Sequence, residues 1–274
     1  MKKSRANLEA LLEESLISYY YAGFILADGH IEKGKRLQMS LSVKDFDFLQ
    51  KMAEYLGVKN LKKRRYFIKN KEVEVASFSA QDIEAIRKFS NKFGIVSDKT
   101  HCPPDVEIFE NLSKEKLLSM IIGFIDGDGS IRKIYKRKDA NIAVKCHSSW
   151  LPILEFFSNA VCGKNLAKIN SHGYASVIFS RFSDIKHLKI FALENNLPIM
   201  MRKWENIEES QKNRTDIHKE RLEKIREMAS NGYTINEICE VIGAKYTCVY
   251  NIIKRNKINY LPNGKERKQN NVSD

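Results

Sequence analysis

The feature that most constrains this chain is internal repetition. YAGFILADGHI (residues 21–31) returns as IIGFIDGDGSI (121–131). FSAQDIEAI (78–86) returns as FSRFSDIKHL (179–188), and GIVSDKT (94–100) as PIMMRKW (198–204), which sets Lys99 opposite Lys203. Three matches in one order at a nearly constant offset predict a duplicated unit of about 100 residues, since stacked copies bury faces that neither can bury alone.

Each copy reads as α-β-β-α-β-β-α. An apolar helix opens it (LISYYYAGFILA; KLLSMIIGFID), and Ser113 fits the N-cap of the second, with Glu115 in its first turn. RLQMSLSV (36–43) then alternates: Leu37, Met39, Leu41 and Val43 against Arg36, Gln38, Ser40 and Ser42. That is the period of a half-buried strand. NIAVKCH (141–147) repeats it, with Ile142, Val144 and Cys146 inward and Asn141, Lys145 and His147 outward. The expected fold is α+β: two tandem repeats with pseudo-two-fold symmetry and antiparallel sheets, each covered by helices on one face and polar on the other.

The opening helices are apolar nearly all round, so they must be buried on two sides. One side covers its own sheet and the other meets its sibling. Gly23-xxx-Ala27 and Gly123-xxx-Gly127 let two helix backbones approach closely. That approach carries Asp28 and Asp128 side by side. Adjacent carboxylates repel, and a divalent cation between them relieves the conflict. Oxygen-only ligands suit Mg²⁺, with Mn²⁺ expected to substitute, and such a metal suits phosphodiester hydrolysis. Asp126 stands opposite Leu26 and stays outside the metal set, as a polar contact at the helix end.

Charge points to the substrate. The chain carries 47 Lys and Arg against 34 Asp and Glu, a net +13, which favours a polyanionic partner. The charge is clustered: KNLKKRRYFIKNK (59–71) and RKIYKRK (132–138) contain no acid. Together with the outward strand residues, these runs predict nucleic-acid contacts at Arg36, Gln38, Ser40, Lys44, Lys63, Arg65, Arg132, Lys136, Asn141, Lys145 and His147.

YAGFILADG and IIGFIDGDG resemble the two LAGLIDADG motifs of the homing endonuclease family, in its single-chain, two-repeat form, over roughly residues 8–205. The resemblance implies saddle-shaped sheets that grip a long duplex site. It implies cutting of both strands across the minor groove, leaving short 3′ overhangs. By position it makes Asp28 and Asp128 the catalytic metal ligands and adds the backbone carbonyls of Ala27 and Gly127. Lys99 and Lys203 would steady developing charge or order water. A further polar residue is expected on the first strand pair. Val43-Lys44-Asp45 and His147-Ser148-Ser149 occupy that region, making Lys44 and His147 candidates. Tyr21 and Ile122 depart from the usual motif residues.

After Trp204 the character changes. Residues 206–218 read as a polar linker, and 219–260 carry three short helical patterns. These are Leu222, Ile225 and Met228; then Ile235, Ile238 and Val241 behind a Thr234 cap; then Tyr246, Val249, Ile252 and Ile253 after a turn at Gly243. The pattern resembles a resolvase-like helix-turn-helix, which puts Lys245, Tyr246, Thr247, Tyr250, Asn251, Lys254 and Arg255 at a major groove. The expected domains are repeats over 1–105 and 106–205, this all-α module, and a basic tail over 261–274 expected to be disordered.

Two other classes stay open on the sequence: a non-catalytic DNA-binding regulator, and an intron maturase acting on RNA. Acids in both motifs favour the nuclease, expected as a monomer. The five scattered cysteines form no CxxC pair, so they argue for reduced thiols in an intracellular, cytoplasmic protein. The charged N-terminal stretch predicts no secretory signal, and no segment reaches the roughly 18 apolar residues of a membrane span.

Overall fold

The computed structural model describes residues 6–68, 71–134, 139–205, 207 and 214–261. The chain divides into two compact units, Met1–Glu209 and Ser210–Asp274.

After a 3-10 helix at Leu8–Leu12, the first unit runs through α1 (Leu16–Asp28), β1 (His30–Glu32), β2 (Arg36–Ser42) and α2 (Phe46–Tyr55). It continues with β3 (Lys62–Ile68), β4 (Lys71–Gln81), α3 (Ile83–Phe93) and the short α4 (Glu107–Glu110). The second half runs α5 (Lys114–Asp128), β5 (Gly129–Ile134), β6 (Asp139–Cys146), α6 (Leu151–Cys162), β7 (Lys168–Ile169), β8 (Ala175–Phe179), α7 (Phe182–Glu194) and α8 (Met201–Trp204). Two four-stranded antiparallel sheets result, ordered β1-β2-β4-β3 and β5-β6-β8-β7.

Strand register shows what each face does. Leu37, Met39 and Leu41 pair with Ala80, Phe78 and Ala76, and Ile142, Val144 and Cys146 with Phe179, Val177 and Ala175. Apart from the half-buried Cys146, these side chains are buried under the helices. Alternation ends one residue earlier than expected. Val43 leaves the strand for a 3-10 turn, because the Ser42 hydroxyl accepts the Lys44 N–H and caps it. The halves also differ: β3 and β4 span 7 and 11 residues, but β7 and β8 only 2 and 5, so the first sheet reaches further.

α1 and α5 pack together at the centre of a core that runs through both halves. Tyr20, Phe24 and Ile25 meet Met120, Phe124 and Ile125, all essentially buried. Each contributes about 1.5–3 kcal/mol by leaving water. Ser15 and Ser113 cap the two helices by accepting the Ser18 and Lys116 N–H groups.

The second unit contains α9 (Arg214–Ser230), α10 (Ile235–Ile242) and α11 (Tyr246–Arg255) around a separate core of Ile225, Met228, Ile235, Ile238, Val249 and Ile253. Thr234 and Glu237 form a reciprocal capping box at α10. Gly243, at φ 64°, turns the chain into α11. Val241 is 53% exposed and Tyr246 44%, so neither belongs to the apolar stripes expected of them. On α10 the stripe advances by four residues, from Ile238 to the half-buried Ile242. Among the described residues no helix is long and apolar enough to cross a membrane.

Candidate metal and nucleic-acid site

The site is set by how closely α1 and α5 approach. A Cβ at Gly23 would stand 1.9 Å from the Met120 carbonyl oxygen, and one at Gly123 1.9 Å from that of Tyr20. Backbone therefore meets backbone. One turn on, a Cβ at Gly127 would stand 2.3 Å from Ala27 Cβ and 3.5 Å from the Asp28 carboxyl carbon. The two helix ends, and with them Asp28 and Asp128, come together. Gly29 and Gly129 then close each helix by donating to Ile25 O and Ile125 O, and the chain turns at once into β1 and β5.

Both carboxylates open to solvent at the foot of the helices. They are nonetheless crowded by protein. Burial, reinforced by the Asp28 charge, pushes Asp128 up to about 6, against the pull of Lys99 and Lys203. Burial raises Asp28 too, with Lys203 and then Lys99 opposing it. Both lysines feel more than one acid: Lys99 is drawn by Asp128 and then Asp28, and Lys203 by Asp126 and then Asp28. Burial lowers both lysines, and these acids offset it.

Neither lysine is a simple surface cation. Lys99 Nζ donates to the carbonyls of Leu26, at 2.7 Å, and Ala27. Lys203 Nζ donates to Asp126 O, to Gly127 O at 3.0 Å and to Gly129 O at 2.9 Å. Each lysine thus satisfies orphan carbonyls at the negative end of its own repeat's motif helix. The carbonyls of Ala27 and Gly127, expected as metal ligands, therefore accept from ammonium groups here.

Asp126 is wholly buried and serves as a junction. It accepts from Tyr20 Oη at 2.6 Å, Trp204 Nε1 at 2.7 Å and the Met200 N–H at 3.0 Å. It joins α1, α5 and the segment that carries Lys203. Burial raises its carboxyl, and these donors oppose the rise.

The surroundings of the two acids are unlike. On the Asp128 side lies a pocket of about 610 Å³ whose lining includes Lys99, His101, Lys145, Cys146, His147 and Trp150. Trp150 Nε1 donates to the carbonyls of Lys99 and Thr100 at 3.1 Å. Burial pushes the Cys146 thiol up to about 12, which keeps it protonated. In the first repeat Asp45 holds Arg202 through two hydrogen bonds, at 2.9 and 3.0 Å. The capped turns fix how the two candidate regions align. His147 caps its 3-10 turn as Ser42 caps the other, so Ser42 and not Lys44 is its counterpart. Lys44 is exposed within the turn itself.

Register corrects two of the expected DNA contacts. Lys63 pairs with the buried Ala76 and Arg65 with Glu74, so both lie on the helix-covered side of the sheet. Lys63 Nζ stands 3.8 Å over the Phe46 ring of α2, and Arg65 bridges to Glu72 and Glu74. Lys62, Arg64 and Tyr66 occupy the opposite face instead, because side chains alternate along a strand. That face also carries Arg36, Gln38 and Ser40, of which Arg36 and Gln38 are held by Glu32. On the second sheet Arg132, Asn141 and Lys145 share the outer face. Lys136 lies outside the described residues. In the second unit Lys245, Tyr246, Thr247 and Lys254 are exposed, and Tyr250 stacks on Tyr246 with ring centroids 6.1 Å apart. Asn251 and Arg255 are exposed as well.

Sequence reasoning missed His101, the Trp150 and Asp45 tethers, and the outward trio of β3. The basic run named the right strand without its phase, and the tethers carry no local signal.

Two α-β-β-α-β-β-α halves joined along a helix pair, with one acid at the foot of each helix, form a duplicated fold with a shared acidic site. No family model matches the chain, and no curated protein matches it. Among solved structures it is similar to the LAGLIDADG meganuclease I-AabMI bound to uncleaved DNA, at 15% identity and a TM-score of 0.44, covering 69% of this chain and 87% of that one. It is also similar to the LAGLIDADG homing endonuclease I-GzeII in complex with its DNA target, at 13% identity and 0.43, covering 78% and 90%. A third is I-SmaMI bound to uncleaved DNA with calcium ions, at 14% identity and 0.42, covering 78% and 91%.

Proposed function

We propose that the chain is a site-specific endonuclease of double-stranded DNA that works with a divalent cation. The observation that carries this reading is the paired placement of Asp28 and Asp128, each ending a motif helix, with Lys99 and Lys203 bonded to the carbonyls at the same helix ends.

The donor set fits Mg²⁺. Two carboxylates offer hard oxygen ligands, and their mutual repulsion is what a cation would relieve. Among the described residues no group of three His, Cys, Asp or Glu gathers that could hold a metal. Water and phosphate oxygens would then complete the shell, as is usual for this ion. Ala27 and Gly127 can still contribute, since a carbonyl oxygen has a second lone pair beside the one its lysine takes. When bound, the cation supplies an activated water and charge stabilisation at the attacking and leaving oxygens.

The chain's own residues do the rest. Lys99 and Lys203 hold the helix ends and keep the site positive towards phosphate. The outer sheet faces grip the duplex with Lys62, Arg64, Arg132 and Lys145. The second unit lays α11 in a major groove through Lys245, Thr247 and Lys254. This reading makes the protein an intracellular monomer that leaves short 3′ overhangs.

The test is to incubate the full chain with a randomised duplex library and Mg²⁺ and to sequence the cut ends. Asp28→Asn and Asp128→Asn should each abolish double-strand cutting while binding by fluorescence anisotropy changes less than about threefold, since phosphate contacts supply most affinity. Cutting at the wild-type rate in either variant would sink the metal assignment.

A further inference from the structure

Resting on the endonuclease reading, we infer that Ile178, beside Ala143 on the outer face of the second sheet, reads the methyl group of one thymine in the major groove of the bound duplex.

Register sets the face. Ile142 and Val144 of β6, with Val177 and Phe179 of β8, are buried under the helices. Side chains alternate along a strand, so Asn141, Ala143 and Lys145 turn outward on β6, and Ser176 and Ile178 on β8. Ile178 pairs directly with Ala143, and Lys145 with Ser176. Side chains paired in this way stand about 5 Å apart, so the isoleucine and the alanine form one apolar island. β7 pairs with Ala175 and Ser176, and among the described residues no strand covers the other flank of Ile178.

Exposure on this face runs against solvation. Ile178 is 46% exposed, whereas Ser176, the next outward residue of the same strand, is 6% exposed and donates from Oγ to Lys168 O at 3.3 Å. A face shaped for water would cover the isoleucine and show the serine. Around the island stand Arg132, Lys145 and Lys168, all exposed, and no acid is among the described side chains on this face. Positive charge around a small apolar centre fits a polyanion that also carries an apolar group. Duplex DNA shows one such group at its base edges, the thymine methyl. It lies in the major groove, which is wide enough to admit a two-stranded ribbon such as β6 and β8.

Isoleucine has no polar side-chain atom, so Ile178 can neither donate to a phosphate nor bond a base edge. What remains to it is van der Waals contact and the exclusion of water, and both depend on the methyl. Cytosine has no methyl and presents an amino group that needs an acceptor, which the island does not supply. Ile178 therefore selects the site and leaves the chemistry to Asp28 and Asp128.

The experiment uses a duplex recovered from a randomised library by binding, so it does not depend on cutting. Each thymine is replaced in turn by deoxyuridine, which removes one methyl and keeps the base pair. Fluorescence anisotropy should find one position at which wild type binds the deoxyuridine duplex about fourfold more weakly, the effect of one buried methyl. Ile178→Ser should bind both duplexes alike at that position, and Ile178→Val should keep the discrimination. Each ratio is taken within one preparation, so any loss of folded protein cancels. A recovered site at which no thymine methyl matters overturns the inference. So does an Ile178→Ser variant that discriminates as wild type does at every thymine. Failure of wild type to bind any duplex would overturn the endonuclease reading and this inference with it.

Discussion

The two repeats tie each other down with unlike chemistry. The first reaches across with Asp45 to the Arg202 guanidinium, and the second reaches back with the Trp150 indole to the carbonyls of Lys99 and Thr100. Both tethers hold the segment that carries the other repeat's lysine. At the helix contact, by contrast, both repeats use glycine in the same place. A contact between backbones admits one residue type, whereas a tether between a turn and a loop can be built from any donor and acceptor at the right distance. Interchangeability can be tested position by position.

The largest effect is expected where the halves are most alike. Gly23→Ala or Gly123→Ala puts a methyl 1.9 Å from a carbonyl oxygen that cannot move without shifting its helix. Either should cost upwards of about 3 kcal/mol, beyond the usual range for overpacking because backbone and not side chain must yield. Urea denaturation measures it, and a loss below about 1 kcal/mol would mean that the helices slide apart easily.

Asp126→Leu comes next and copies the residue of the first repeat into the second. If the halves were interchangeable it would be neutral. Three buried donors lose their acceptor, so a loss of about 3–5 kcal/mol is expected. The change should also loosen the Met200–Trp204 segment, seen as faster amide exchange there.

The smallest effect concerns Glu14, which joins the halves at the other end of the helix pair. It accepts from Tyr19, from Lys92 of α3 and from Lys116 of α5. These partners, Lys116 foremost, pull its carboxyl down to about 2. A depressed carboxylate contributes stability that is present above its unfolded value, here 4.5, and is lost as pH falls from there to about 2. Glu14 is 61% exposed, so screening limits the contribution to about 1 kcal/mol or less. Glu14→Gln should lower Tm slightly at pH 7 and not at all near pH 2.

Much of this was legible in the sequence. The apolar helices, their small residues and the acids at their ends recur at one spacing, and a pattern that recurs marks its own function. Ser113, Thr234 and Gly243 were readable because capping is a local matter. Lys63 and Arg65 were not. In four consecutive basic residues every second side chain faces the other way, and nothing within the run says which. Pairing with Ala76 decided it, 13 residues past Lys63. Asp126 was readable as a polar contact at the helix end but its partners were not, because its donors lie 74 to 106 residues away.

By itself the sequence determined the duplication, the helix pair and the meeting of Asp28 with Asp128, since periodicity and side-chain size act through neighbours along the chain. Only the tertiary structure decided which basic side chains face outward, what Asp126 holds and which side chains gather beside Asp128. Those depend on strand register and on contacts between distant segments, and no stretch of sequence carries either.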